Sequence, residues 1–564
     1  MSNIVQVQVL SRAPKLFDAT NTKLLMGSSI RRATAADTAK WLDLVQATLG
    51  PHYPAKNIYD PAWITKQLES ANGEETWLAE VGGKISASIS FLKAPGENGN
   101  PVANLGRNLF RPESFTDGSA EALLKSIKDL TTKRKEMAVV RVPAADNAQQ
   151  ILFEKLGFVC AGFQPLKHML QQRVGVLFYV HGADSVLITR LPLSESLSQV
   201  SELGSAVLSE MQISNPMVVR DGAVGYPLQC DLKVHDATVD DFQLWRTQAE
   251  GSNPSVEVSG RFNFGSGLMR LPIDSTPKAF LGQQDKKMVA GLSYYFDEQD
   301  RCARIVEAFC SDDLSMGALL GHALRTMQDQ LNAVYTEVDI LATAPRLLKS
   351  AEQLGFVPVA YLPAFYNDRD RFSDVVKMVK LNLPYSLEPS DFTTHAQNMV
   401  KLIDRNFSDQ KLGLAIINLL RPLSMFSGLG DGELRKVARL FVQKLYRPGD
   451  QVFARGDSGD EAYIVLRGKI SIQLESEAPP VAHLGDGKIF GELAFLDGAP
   501  RAAYAIATQP SILLVIKRTA FTEVVRREPN LGMMVMRNLA QDLALKLRSV
   551  NEALSKRSQP KASQ

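Results

Sequence analysis

Residues Ile489 to Ala507 read IFGELAFLDGAPRAAYAIA, and the charges in this stretch pose the first question. A mostly apolar segment carries Gly491-Glu492 near one end and Pro500-Arg501 towards the other. Charge removed from water is costly unless it meets a partner. Either the segment is a surface turn, or Glu492 and Arg501 serve a partner that the chain does not contain. Around it, glycines recur at 449, 456, 459, 468, 485, 487, 491 and 498, punctuating short alternating segments. In GKISIQLE, Ile470, Ile472 and Leu474 alternate with Ser471 and Gln473, which predicts a strand with one apolar face. Short strands at this spacing predict a small barrel or jelly roll from Met425 onward. A closing helix is expected, with Leu539, Leu543, Leu547, Val550 and Leu554 on one stripe. That stripe fits core, a lid or a homodimer seam, and periodicity does not choose among them.

The chain has 564 residues, too many for one core, and length alone predicts about three or four domains. Hydrophobic residues make up 45% and charged residues 22%, the balance of a folded globular protein. Lysine plus arginine number 63 against 61 aspartate plus glutamate, so a net charge of +2 gives no reason to expect a nucleic-acid partner. Cys160, Cys230, Cys302 and Cys310 are scattered without a CxxC pair, which predicts reduced thiols and a cytoplasmic protein with no metal. The start, MSNIVQVQVLSRAPKLFDATNTKLLMGSSI, lacks the basic and apolar signature of a signal peptide. No run reaches the ~18 apolar residues of a membrane span, and LGLAIINLL (Leu412 to Leu420) has the length of a buried helix.

A repeat lies in the first two-thirds. FEKLGFVCAGFQP (Phe153 to Pro165) returns as AEQLGFVPVAYLP (Ala351 to Pro363), a shift of 198. WLAEVGGKISASISFL (from Trp77) and ATAAD (from Ala33) return as FLGQQDKKMVAGLSYYF (from Phe280) and ATVDD (from Ala237). Three matches in one order at nearly constant offset predict two copies of one domain. Each copy reads as a strand, a capped helix, a hairpin, then further strands and helices, an α+β arrangement with a mixed sheet. Thr34 or Asp37 is placed to cap the first helix, Gly82-Gly83 to turn the hairpin, and Gly157 to stop the last helix. Between the copies, Leu197, Val200, Leu203 and Val207 mark an amphipathic helix.

Ile30-Arg31-Arg32-Ala33-Thr34 with Asp37, and Asn147 to Phe158 ending in EKLGF, resemble the opening strand and penultimate helix of GCN5-related N-acetyltransferases (GNAT). The resemblance implies an acyl-CoA site whose pyrophosphate rests on backbone N–H groups at a helix N-terminus. Its Gly-rich turn maps onto Gly118 and Ala120 in the first copy and onto Gly317 in the second. The family's leading polar residue is replaced by Phe115. The tyrosine that serves the family as general acid is replaced by Phe153 and Ala351, neither of which donates a proton. Asn104 and Asn108 stand where an acidic base is often found, and Glu307 in the second copy is the one candidate base. Acyl transfer, and retention of acetyl-CoA or another acyl-CoA without turnover, both stay open.

FGELAFLDGAPRAA resembles the phosphate-binding cassette of cyclic-nucleotide-binding domains of the cAMP-receptor and protein kinase A regulatory type. PLSMFSGLGDGELRKVARLF and YRPGDQVFARGDSGDEAYIVLRGKISI resemble that family's lead-in helices and early strands. The resemblance implies a site of Phe490, Gly491, Glu492, Leu493, Ala494, Pro500, Arg501, Ala502 and Ala503. Gly491 lets the backbone approach the phosphate, Glu492 accepts from the ribose 2′-hydroxyl, and Arg501 pairs with the phosphate oxygens through its guanidinium fork. In the family, Thr or Ser after the arginine accompanies cGMP; Ala502 leans towards cAMP.

The expected organisation is an extension (1–27), a GNAT-like domain (28–172), a connector (173–229), a second GNAT-like domain (230–383), a linker with lead-in helix (384–424), a jelly-roll cyclic-nucleotide-binding domain (425–555) and a disordered tail (556–564). The expected function is a cyclic-nucleotide-responsive regulator of tandem acyltransferase-like domains. The rival is a non-enzymatic sensor whose domains dock a partner protein. A transcription factor is disfavoured, because no helix-turn-helix follows residue 555.

Overall fold

The computed structural model describes residues 28–557 apart from 52, 54–55, 70–73, 93–101, 171, 216, 220–223, 250–257, 259–276, 369–370, 388–389 and 477. The extension 1–27 and residues 558–564 of the expected tail lie outside the described residues. The chain divides into two compact units at residues 407 and 408.

The first unit begins with β1 (Ser28–Arg32), α1 (Thr38–Leu49), α2 (Pro61–Leu68), β2 (Glu75–Val81), β3 (Lys84–Leu92), β4 (Val102–Phe110), α3 (Ser119–Arg134), β5 (Met137–Pro143), α4 (Asn147–Lys155), β6 (Val159–Met169) and β7 (Arg173–Gly182). A connector follows with α5 (Asp184–Leu187), β8 (Glu195–Ser196), α6 (Ser198–Glu210) and β9 (Val218–Val219). Then come β10 (Lys233–Thr238), α7 (Val239–Ala249), β11 (Lys278–Gln284), β12 (Lys287–Asp297), β13 (Cys302–Cys310), α8 (Ser315–Asp329), β14 (Tyr335–Leu341), α9 (Pro345–Gln353), β15 (Val357–Asp368) and β16 (Arg371–Leu381).

Local signals act where the sequence places them. Thr34 and Asp37 form a capping box around the short helix that leads into α1, and Arg31 clamps Asp37 at 2.7 Å. The hydrogen bonds from Arg31 hold the Asp37 carboxyl down to about 2, against the opposing effect of burial. Gly82 and Gly83 take φ of +57° and +79° between β2 and β3, a two-residue turn closed to most side chains. Val200, Leu203 and Val207 of α6 are all buried.

Fourteen strands among the described residues form one sheet, ordered β1-β2-β3-β4-β5-β7-β6-β15-β16-β14-β13-β12-β11-β10. Read inward from either edge, the order is the same. Strands β4 and β5 pair in parallel, as do β13 and β14, and in both cases the pairing stops halfway so the strands splay. The halves meet where β6 runs antiparallel to β15, with Gly162 opposite Ala360. Aromatic and aliphatic residues of both halves share one core, which Ala396, Met399, Val400, Ile403 and Phe407 of α10 (Thr394–Leu420) complete.

Polar groups are also buried where the halves join. Glu337 accepts from Lys167 (2.9 Å) and Gln164 (2.7 Å), and Asp339 accepts from Lys377 (2.6 Å) and Arg304 (3.0 Å). Burial alone would raise the Glu337 carboxyl, but Lys167, Lys377, Arg304 and Arg141 hold it well below the usual range. Such an arrangement costs desolvation and tolerates no missing member.

The second unit carries α11 (Asp431–Ala438), β17 (Phe441–Tyr446), β18 (Gln451–Phe453), β19 (Glu461–Arg467), β20 (Ile470–Gln473), β21 (Ala482–Leu484), β22 (Ile489–Phe490), α12 (Glu492–Asp497), β23 (Tyr504–Ala507), β24 (Ser511–Lys517), α13 (Arg518–Arg527) and α14 (Pro529–Arg557). The strands form two four-stranded sheets, β17-β24-β19-β22 and β18-β23-β20-β21. Phe453, Tyr463, Val465, Ile470, Phe490 and Leu513 fill the barrel. The expected alternation through Leu474 is corrected here. Strand β20 ends at Gln473, so Leu474 is exposed, while Ser471 is buried and donates to the Ile506 carbonyl. The expected stripe on α14 is not uniform either. Leu539 is buried and Leu547 is exposed, because only the first turns pack on the barrel's helical flank, where Asn538 clamps the carbonyls of Met425 and Ser427. The side chains of Val550 and Leu554 lie outside the described residues.

Candidate functional site

The segment from Gly491 to Ala503 wraps around Arg501. The chain enters through β22 into α12, with Gly491 at φ +74°, and returns through Pro500 to β23. Asp457 and Gly456 fix the arginine's backbone: Arg501 N–H donates to the Asp457 carbonyl, and Gly456 N–H to the Arg501 carbonyl, both at 2.8 Å. The residue is 4% exposed. Its Nη1 donates to the carbonyls of Glu461 (2.8 Å) and Gly491 (3.0 Å). Its guanidinium carbon stands 4.3 Å from the Phe453 ring centroid and 5.5 Å from that of Tyr463. The buried Nε makes no hydrogen bond among the described residues. A fully charged group is thus held by two neutral carbonyls and two rings, with donor capacity left over.

Two glycines make room for it. A Cβ on Gly459 would stand 2.2 Å from Arg501 Nε, and one on Gly491 2.8 Å from Nη1. Tyr463, stacked on Phe490 at 5.1 Å, donates through its hydroxyl to Glu461 at 2.6 Å. Burial would raise the Glu461 carboxyl, but the bonds from Tyr463 and Lys444 hold it below its ordinary value. Lys444 therefore neutralises Glu461 instead of leaving a second anion beside the site.

The remaining expected residues divide by position. Glu492 is the half-buried first residue of α12, Leu493 and Pro500 are exposed, and Ala502 and Ala503 line the return with little bulk. Phe490 and Ala494 are buried in the packing beneath, so they shape the segment without facing outward. Gly459, Phe453, Tyr463 and Glu461 are absent from the site residues the sequence predicts. The signal was the spacing of ARGDSGDEAY, which gains meaning only when Arg501 lies against it.

In the first unit the candidate residues fall at the starts of two helices and on one strand. Gly118 is the left-handed N-cap of α3 at φ +79°, and Ala120 is buried in its first turn. Ser119 between them buries a hydroxyl that has no hydrogen-bond partner among the described residues. Gly317 lies in the first turn of α8. Glu307 on β13 is ion-paired with Arg246 of α7 and accepts from Gln243 Nε2 at 3.0 Å. Phe153 and Ala351 are fully buried. Asn108 reaches across the splay between β4 and β5 to the Arg141 carbonyl at 3.3 Å.

Among the described residues, no helix is long and apolar enough to cross a membrane. Residues 443–528 match the family model of the cyclic nucleotide-binding domain. The chain is 34% identical over 137 residues to the cyclic AMP receptor protein of Thermus thermophilus, covering 23% of this chain and 63% of that protein. It is 34% identical over 101 residues to the cAMP-dependent protein kinase regulatory subunit of Yarrowia lipolytica, covering 18% and 26%. Among solved structures, the Thermus thermophilus catabolite activator protein aligns over 24% of this chain and 63% of its own, at 33% identity and a TM-score of 0.22. The chain therefore spans less than two-thirds of each of these relatives. The buried arginine, the glycines that admit it and the family match agree: the C-terminal part of the chain is a cyclic nucleotide-binding domain.

Proposed function

We propose that the chain is a cyclic-nucleotide-responsive regulatory protein of the cytoplasm. Cyclic AMP is its signal, and the two α+β repeats of the first unit are GNAT-like domains that bind an acyl-CoA. The observation that carries the nucleotide part is Arg501, buried with an unbonded Nε beside Gly459 and Gly491. A nucleotide phosphate supplies the missing anion, Glu492 takes the ribose hydroxyl, and Ala502 favours adenine over guanine nucleotides. Support for acyl-CoA comes from the repeated strand order, the splayed parallel pairs and the orphan hydroxyl of Ser119 at the start of α3. Calorimetric titration of cAMP and cGMP into the full chain, repeated with Arg501→Ala, tests the first part. Binding of cAMP that the substitution removes is expected, and equal binding by both proteins would sink it. Titration of acetyl-CoA with and without saturating cAMP tests the second, and coupling between the two ligands is the expected result.

A second reading is favoured by the first unit's chemistry. Glu307 is tied to Arg246, and Phe153 and Ala351 occupy the general-acid positions. On this reading the repeats bind without turnover and dock a protein partner. Acyl transfer that Glu307→Gln abolishes would exclude it.

A further inference from the structure

One helix belongs to both units. Helix α10 crosses the boundary between residues 407 and 408. Its first half is buried in the core of the first unit through Ala396, Met399, Val400, Ile403 and Phe407. Towards its end, Ile417 and Leu420 share an apolar cluster of the second unit with Phe495 of α12. Phe495 lies one turn from the grip on Arg501: the Gly491 carbonyl accepts from Arg501 Nη1 at 3.0 Å and from the Phe495 amide at 3.3 Å. An anion at Arg501 competes with that carbonyl for the guanidinium, so occupancy of the site bears on where α12 and Phe495 rest.

At its other end, the approach to α10 is fastened to α4 of the first repeat. The Thr393 hydroxyl accepts from the Ala396 amide at 3.2 Å and donates to Glu154 Oε1 at 2.5 Å. The Thr393 amide donates to Gln150 Oε1 at 3.1 Å, and Asn147 Nδ2 donates to the Asp391 carbonyl at 2.9 Å. Glu154 Oε1 also accepts from the Tyr179 hydroxyl of β7 at 2.9 Å. One carboxylate oxygen thus joins the start of α10, helix α4 and strand β7. The second repeat is built differently at the matching positions. There, 198 residues on, Asn147 and Gln150 become Pro345 and Leu348, and Glu352 accepts from Lys349 at 2.8 Å.

We propose that α10 is a regulatory link through which a cyclic nucleotide at Arg501 acts on α4 of the first repeat, with the Thr393–Glu154 hydrogen bond as the transmitting contact. The link rests on the cyclic-nucleotide reading above and is independent of the acyl-CoA one. A helix carries a displacement from end to end because its backbone bonds are made internally. The asymmetry between α4 and α9 makes the first repeat the recipient.

Hydrogen–deuterium exchange on the full chain, with and without cAMP at a concentration that calorimetry shows to saturate each protein, tests the link. In the wild type, cAMP should change exchange of the α4 amides by at least about threefold and leave α9 unchanged. Thr393→Val keeps the side chain's shape without its hydroxyl, and it should abolish the α4 response. Glu154→Ala removes the acceptor from the opposite side and should do the same. A wild type whose α4 amides ignore bound cAMP, an equal response in α9, or an α4 response that survives either substitution would overturn the link. Failure of cAMP to bind the wild type at all would instead defeat the cyclic-nucleotide reading, and the link with it.

Discussion

Gly162 and Ala360 face each other across the junction of β6 and β15, and they are also the same position of the two repeats, 198 residues apart. Equivalent residues that pair antiparallel define a local two-fold axis, so the repeats join as a symmetric dimer would, within one chain. A Cβ on Gly162 would stand 2.3 Å from the Ala360 Cβ and 2.4 Å from the Val359 carbonyl oxygen. Gly162→Ala should therefore part the strands at the axis and cost about 1–3 kcal/mol of stability. Chemical denaturation of the wild type and the variant measures it, and an unchanged midpoint would contradict the tight junction.

Arg501→Lys keeps the positive charge but loses the planar fork that reaches two carbonyls and an anion together. Cyclic-nucleotide affinity should fall by about 2–5 kcal/mol in Arg501→Ala and by a smaller amount in Arg501→Lys. Calorimetry on both variants provides the comparison, and full retention of affinity in Arg501→Ala would refute the site.

Gly459→Ala tests the same site from its wall. The new methyl would overlap Arg501 Nε, so the guanidinium must move while its own chemistry is unaltered. Nucleotide binding should weaken by more than about tenfold, with a small shift in thermal midpoint. A variant that binds as wild type would mean the guanidinium is not held where Gly459 admits it.

Glu337 accepts from Lys167 and lies among Arg141, Arg304 and Lys377, so Glu337→Gln removes the carboxylate and leaves cations buried. A loss of about 3–5 kcal/mol is expected. Joint replacement by Glu337→Met and Lys167→Met should recover part of it, because paired apolar residues carry no desolvation cost. Denaturation midpoints of the single and double variants decide the point.

His181 sits under Phe158, with ring centroids 5.2 Å apart, and burial, aided by Lys128, pushes its imidazole down to about 4. The unfolded chain titrates nearer 6.5, so between those values unfolding takes up a proton that the folded state refuses. Stability of the first unit should thus be fully present above 6.5 and decline as pH falls towards 4. His181→Gln should flatten that part of the profile, and a profile with unchanged slope would assign the decline to other groups.

Much of this was legible in order along the chain. The offset of 198, the hairpin at Gly82-Gly83 and the stop at Gly157 are local statements, because turns and caps depend on backbone conformation that a glycine or a capping side chain sets by itself. The turn from Gly491 into α12 was legible for the same reason: it is one continuous stretch whose left-handed entry suits glycine.

What only the tertiary structure decided involves residues far apart in the chain. The sequence could not reveal that Gly459 packs on Arg501, that Glu307 pairs with Arg246, or that the carbonyls of Tyr226 and Pro227 pack on Gly317. Those facts arise when buried charges and backbone carbonyls from distant segments must satisfy one another in a space water has left. By itself the sequence determined the repeat, much of the strand-and-helix pattern and the presence of a C-terminal cyclic nucleotide-binding domain. The fold determined which distant groups meet Arg501 and Glu307, because the partners of a buried charge are a matter of packing and not of composition.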